Sequence, residues 1–172
     1  MTLCAEDEAN SITYNLGKYG IKFIGTRLPK NPQTLHIEEL IIEVLSHKQN
    51  PRFVEVLPAL MYKNNVDYQR LAALAIKQNL ANEAGYVLNA TRDISGKFGN
   101  NSNDSNLVKA IAQLEKNIDA SPHPLAKHNF DDAAPYFELC RERQTADQRK
   151  WNVFGLIFYS DFLNQARAYC AG

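Results

Sequence analysis

The sequence predicts an all-α single domain, a bundle or short solenoid-like array of about seven helices. Three observations carry that reading. The stretch from Ala146 to Tyr169 places Trp151, Phe154, Phe158, Phe162 and Tyr169 on one stripe at a 3.6-residue period. Between Thr34 and Arg92, amphipathic segments with capping signals follow one another through connections of two to five residues. Short connections favour neighbouring, mostly antiparallel helices. Only Ile21 to Leu28 reads like a strand, and one short strand cannot satisfy its own backbone groups.

Taken in order, residues 1–30 hold a first helix over 5–18 and then the extended segment. Ile12 and Leu16 form the inner side of that helix. Gly17 and Gly20 end it, since glycine takes the left-handed conformation that follows a helix. Pro29 and Pro32 bracket a loop. In the 34–92 array, Leu40, Ile41, Ile42, Val44 and Leu45 give the next helix a broad apolar face. Asn50-Pro51 reads as an N-cap followed by proline at the first helical position. Pro58 forces a kink or restart near Leu57, because an interior proline loses a hydrogen bond and clashes with the preceding turn. Asp67 caps a helix through about Lys77, with Val66 against Leu71 as a hydrophobic staple. A further helix over 81–90 carries Ala84, Val87 and Leu88 inward. Residues 95–104, rich in glycine and asparagine, read as a flexible loop.

The last part, 105–170, begins with a helix capped by Asp104 or Ser105, with Leu107, Ile111 and Leu114 at helical spacing. Ser121-Pro-His-Pro-Leu is a second loop. A helix over 131–144 starts near Asp131 or Asp132, both suited to the positive end of the helix dipole. The 146–169 segment then closes the domain as one helix at or near its centre. Val153, Leu156, Ile157, Tyr159 and Leu163 widen its apolar surface, so it must be covered on most sides, by the other helices or by a second copy.

Composition excludes several function classes. Nineteen acidic and nineteen basic residues cancel, which does not favour nucleic acid as a partner, since phosphate-binding surfaces carry a basic excess. Apolar runs are too short to span a bilayer. The acidic start, Met-Thr-Leu-Cys-Ala-Glu-Asp-Glu, lacks the basic opening of a secretory signal, and Cys4, Cys140 and Cys170 show no C-x-x-C pairing. A cytoplasmic protein with reduced thiols is expected. No glycine-rich phosphate loop or nucleotide fingerprint is present, and no cofactor is implied.

Four constellations could carry chemistry. His36, Glu39, Glu43 and His47 share one helical stripe, and such spacing suits a divalent metal such as zinc; the same stripe is also the solvated face of an amphipathic helix. His123 and His128, with Asp131 and Asp132 close behind, could supply a loop general base, or could be ordinary loop histidines. Cys140, beside Arg141 and Arg143, could be a reactive thiol, although its spacing from Phe137 reads as buried. Arg143, Arg149 and Lys150 with Trp151 could touch nucleic acid, or could decorate a helix start.

The segment Asp67-Tyr-Gln-Arg-Leu-Ala-Ala-Leu-Ala, followed by Asn82-Glu-Ala-Gly-Tyr-Val-Leu88, resembles the helical C-terminal part of AbiEi-type antitoxins. It covers about a seventh of the chain, and departs at Glu83 and Ala84, where the family has a basic residue and leucine. The resemblance implies a helical packing unit and a protein that partners a nucleotidyltransferase-like toxin. Physically, Gly85 permits a close approach to its helix, and Tyr86 with Leu88 fills the space beside it.

No coherent catalytic set emerges. The leading expectation is a non-enzymatic interaction or regulatory protein, antitoxin-like or an accessory subunit, acting with a protein partner or by self-association. Trp151, Phe154, Phe158 and Phe162 are its expected anchors. The alternatives are a metal-dependent enzyme using His36, Glu39, Glu43 and His47, and a nucleic-acid-binding regulator.

Overall fold

In the computed structural model, α1 (Ala5–Lys18) ends in a Schellman motif. Gly20 adopts a left-handed φ of 88°, and the amides of Gly20 and Ile21 donate to the carbonyls of Gly17 and Leu16. Ile21 is thereby driven into the core. The structure describes residues 5–24, 27, 29, 31–48, 50–99, 104–126 and 133–170. None of the described residues of the 21–28 segment pairs as a strand. Its first residue completes a helix cap, which an apolar pattern alone does not distinguish from an edge strand. Asn15 then fixes the next stretch: its buried side chain accepts from the Leu35 amide at 2.8 Å and donates to the Gln33 carbonyl at 3.0 Å.

The central array follows the expected punctuation. After α2 (Ile37–His47), Asn50 caps α3 (Pro51–Glu55), accepting from the Arg52 amide at 3.1 Å. Pro58 sits in the first turn of α4 (Leu57–Lys63), so the restart comes at Val56. Asp67 caps α5 (Tyr68–Lys77) with bonds from the amides of Gln69 and Arg70. A second Schellman motif, with Asn79 at φ 56°, turns the chain directly into α6 (Ala81–Lys97).

Every residue of α6 from Ala81 to Thr91 is buried. This helix, not the C-terminal one, is the element the chain is organised around. It lies against α4, α5, α7 (Ser105–Glu115) and α10 (Tyr159–Cys170), and meets the short strands β1 (His123–Pro124) and β2 (Val153–Phe154). It also runs past the expected end at Ala90, because Ile94 and Ser95 continue its buried face. The expected flexible loop therefore begins inside a helix, and Asn100 to Asn103 lie outside the described residues.

The expected continuous helix over 146–169 is broken in two. Threonine and glutamine form a capping box at the start of α9 (Ala146–Lys150), with bonds between Thr145 and Gln148 in both directions. Asn152 then turns left-handed at φ 50° and Gly155 sits at φ 143°, a conformation nearly confined to glycine. Between them, β2 pairs in parallel with β1, His123 opposite Val153, and α10 begins only at Tyr159. The stretch had satisfied a helical period while being built to leave the helix. The remaining helix, α8 (Ala133–Arg143), lies between β1 and α9 in sequence; Asp131 and Asp132, its expected start, lie outside the described residues. No helix among the described residues is long and apolar enough to cross a membrane.

Glu55, at the end of α3, gives one testable consequence of packing α10 here. Burial, reinforced by the Asp161 carboxylate, raises its pKa above the usual value, although Gln165 donates to it. A carboxyl raised on folding favours the folded state at low pH and loses that contribution as pH rises through its folded value. Glu55→Gln is therefore expected to raise the thermal midpoint at pH 7 slightly, since solvent screening at this half-exposed site keeps the effect small. The gain should vanish near pH 4. Melting curves of both proteins at the two pH values check it.

Candidate functional site

Glu83 stands in the fully buried run of α6, with no side-chain exposure. An isolated carboxylate there would be costly, so it has to be paired and hydrogen-bonded. Lys48, in a left-handed conformation just past the end of α2, brings its ammonium onto Oε1. His123 brings Nδ1 to 3.0 Å from Oε2. The other imidazole nitrogen lies 3.5 Å from Asp119 Oδ2. A line of four ionisable groups thus runs from the end of α2, through the first turn of α6, to the loop before β1.

Asp119 is held by further bonds. The backbone amide and hydroxyl of Ser121 donate to its carboxylate and lower its pKa to about 2. Its backbone amide donates to Asn82 Oδ1 at 2.8 Å, and its carbonyl accepts from Asn82 Nδ2 and Asn152 Nδ2. Asn152 also donates to the Ala120 carbonyl. Its left-handed turn is what brings that amide to the loop.

The second half of the site is the pair of strands. The amides of His123 and Leu125 donate to the carbonyls of Asn152 and Phe154, both at 2.9 Å. Gln148, fully buried, donates to the carbonyls of Gly155 and Ile157, and the Tyr86 hydroxyl donates to Ile157 as well. Trp151 lies face-on to Gly85, where an added methyl would sit 1.9 Å from the ring. Residues within a single turn of α6 therefore hold both partners of the strand pair: Glu83 grips β1, while Gly85 and Tyr86 seat the 151–157 segment.

What this scaffold presents is a groove of about 380 Å³ between the strands and α8. Pro122, Phe137 and Phe154 give it an apolar surface, and Arg141, Gln144 and Asn152 form its polar positions. The rings of Phe137 and Phe154 lie 5.3 Å apart, and Phe137 is 45% exposed, an unusual position for a phenylalanine. Gln144 is fixed by its bond to the Val153 carbonyl. Beneath the helix Cys140 is buried as its spacing suggests, and burial together with Cys140 raises the pKa of the Tyr136 hydroxyl.

The expected sites fare unevenly. His36 stands exposed before α2, its amide bonded to Glu39, and Glu39 pairs with Arg70 at 2.8 Å. Glu43 is exposed, while His47 turns Nδ1 to Glu8 of α1 at 3.2 Å. The four do not converge, and no group of three or more His, Cys, Asp or Glu among the described residues is arranged to hold a metal ion. Of the four aromatic anchors, Trp151 and Phe162 are completely buried in the chain's own core. Phe158 is half-buried, and Phe154 alone lines the groove. The stripe dissolves because the helix on which it was drawn is interrupted at Asn152.

Of the expected loop cluster, His123 is the one member among the described residues. His128, Asp131 and Asp132 lie outside the described residues, and its observed neighbours are Glu83 and Asp119. Glu83 carried a usable signal: a carboxylate inside an otherwise unbroken buried run is a demand for a distant cation. Phe137, the exposed ring of the groove, had none, since a lone phenylalanine on a charged helix reads as core. Set against known protein families, curated proteins and solved structures, the chain matches none of them significantly.

Proposed function

We propose that this chain is a non-enzymatic helical interaction protein, antitoxin-like or an accessory subunit, and that it engages a protein through the groove between α8 and the strand pair. One observation supports this above the others: an exposed phenylalanine whose ring packs at a tilt against a second aromatic, with an arginine beside it in the same groove. Aromatic residues and arginine are the types that dominate binding energy at interfaces. The buried ionisable groups fit a positioning role. Lys48, Glu83 and His123 are nearly closed to solvent, and their bonds run to the loop and strand that shape the groove.

The test is affinity capture on the tagged chain and on Phe137→Ala, with solution mass measured alongside. A stoichiometric protein partner, either another polypeptide or a second copy, is expected. Its affinity should fall about tenfold or more in the variant, as for a central aromatic anchor. A wild-type chain that stays monomeric and captures nothing would overturn the reading, as would a partner indifferent to Phe137.

A further inference from the structure

The outer face of α8 carries a charge pattern that complements itself. Phe137, Glu138, Arg141 and Glu142 are all exposed. At 100° per residue, Phe137, Arg141 and Glu138 fall within one arc of about 100°, which begins at Phe137, about 60° from the buried Cys140, and ends at Glu138, on the side opposite it. Neither Glu138 nor Arg141 forms an ion pair among the described residues. Turned end for end, this face offers an acid where the original offers a base. Two antiparallel copies crossing at the level of Leu139 and Cys140 bring Glu138 of each opposite Arg141 of the other. Phe137 of each then comes level with residue 142 of the other, next to Arg141 and Gln144 at the groove.

We infer that the occupant of the groove is α8 of a second copy of this chain. The two helices pack antiparallel about a two-fold axis, with two reciprocal Glu138–Arg141 pairs, and the exposed side of each Phe137 packs against the mouth of the other protomer's groove. Such an interface is isologous, so one patch serves both sides and the assembly closes at two. Its energy comes from the buried rings and its register from the charges. Shifting the helices by one residue in one sense sets Glu138 against Glu142, where like charges disfavour the register, and shifting them in the other sense separates both Glu138–Arg141 pairs. An 11-residue helix is only about 16 Å long, which makes this a small interface and the dimer a reversible one, with a dissociation constant on the order of micromolar.

This inference rests on the reading of the groove as a protein-binding surface, and a charge swap separates the two. Sedimentation or native mass measurement over about 1–100 μM is made on the wild type, on Glu138→Arg, on Arg141→Glu and on the double swap. The expected result is a wild-type species of twice the 19.4 kDa chain mass at the upper concentrations. Each single swap sets like charges face to face and should weaken association at least about tenfold, while the double swap restores it to within about threefold. Both positions are exposed, and circular dichroism with a melting curve confirms that each variant is folded. A dimer indifferent to the single swaps, a double swap without rescue, or a monomer across the range would overturn the inference. A monomer that nevertheless loses a different protein partner on Phe137→Ala would overturn it and leave the interaction reading standing.

Discussion

Gly85→Ala is expected to be among the most destabilising single substitutions in the chain, costing about 3 kcal/mol or more, or preventing folding altogether. A methyl at this position would meet three atoms of the Trp151 ring at 1.9–2.4 Å, distances at which something must move. Neither side can yield cheaply. Gly85 lies in the second turn of α6, within the 81–91 run that is buried on all sides, and Trp151 is completely enclosed at the end of α9, where its neighbour Asn152 is fixed to the 119–120 loop. The usual gain of a few tenths to one kcal/mol from replacing glycine in a helix is therefore overwhelmed. The mechanism is tested by a double-mutant cycle. Trp151→Leu alone should cost about 3 kcal/mol by leaving a cavity. In that background Gly85→Ala should cost far less than it does alone, because the methyl then occupies vacated space. Chemical denaturation of the four proteins measures the coupling.

Glu83→Ala comes next, with an expected cost of about 3–5 kcal/mol, read as a fall in melting temperature of about 10 °C or more. The loss does not measure the strength of a salt bridge. Removing the carboxylate leaves the Lys48 ammonium, with 11% of its side chain exposed, facing a dry interior without its counterion, and it takes away the Nδ1 partner of His123. Replacing both members of the pair should be milder. Lys48→Met combined with Glu83→Leu removes the charges together, and the double variant is expected to recover at least half of the lost stability. Equal destabilisation in the single and double variants would mean that packing volume, not uncompensated charge, sets the cost.

These two expectations also mark what the sequence could and could not convey. Local punctuation was legible residue by residue. Asn50-Pro51, Pro58 and Asp67 start or interrupt helices where capping chemistry requires, and Gly20 closes the first one. The need for a close approach at Gly85 could be read as well, since a glycine inside a helical pattern asks for a neighbour. Its partner could not, because Trp151 is 66 positions away and nothing local links the two. Periodicity misled at the C-terminal end for a physical reason. Of the aromatic residues at helical spacing, Trp151 and Phe162 reach the core, while Phe154 and Phe158 are only half-buried. Through the break it is Trp151, Val153, Gly155 and Ile157, every second residue, that are buried, the period of extended chain. The break is decided by the αL turn at Asn152, whose amide is paid for by carbonyls of a loop more than thirty residues earlier. The His36 to His47 stripe shows the complementary case. Its spacing was real, and the side chains still diverge, to Arg70, to solvent and to Glu8.

The groove depends on the same long-range pairing. Glu83 fixes His123, the amides of His123 and Leu125 fix β1 against β2, and the pair sets Pro122 and Phe154 beneath Phe137. The most direct test of that chain of causes is amide hydrogen exchange, followed residue by residue in the wild type and in Glu83→Gln under conditions where both are folded. Exchange is expected to quicken selectively at His123 and Leu125, with the amides of α5 and α7 keeping their protection. Unchanged protection at those two amides, or an equal loss throughout the molecule, would contradict the claim that the buried charge positions the groove.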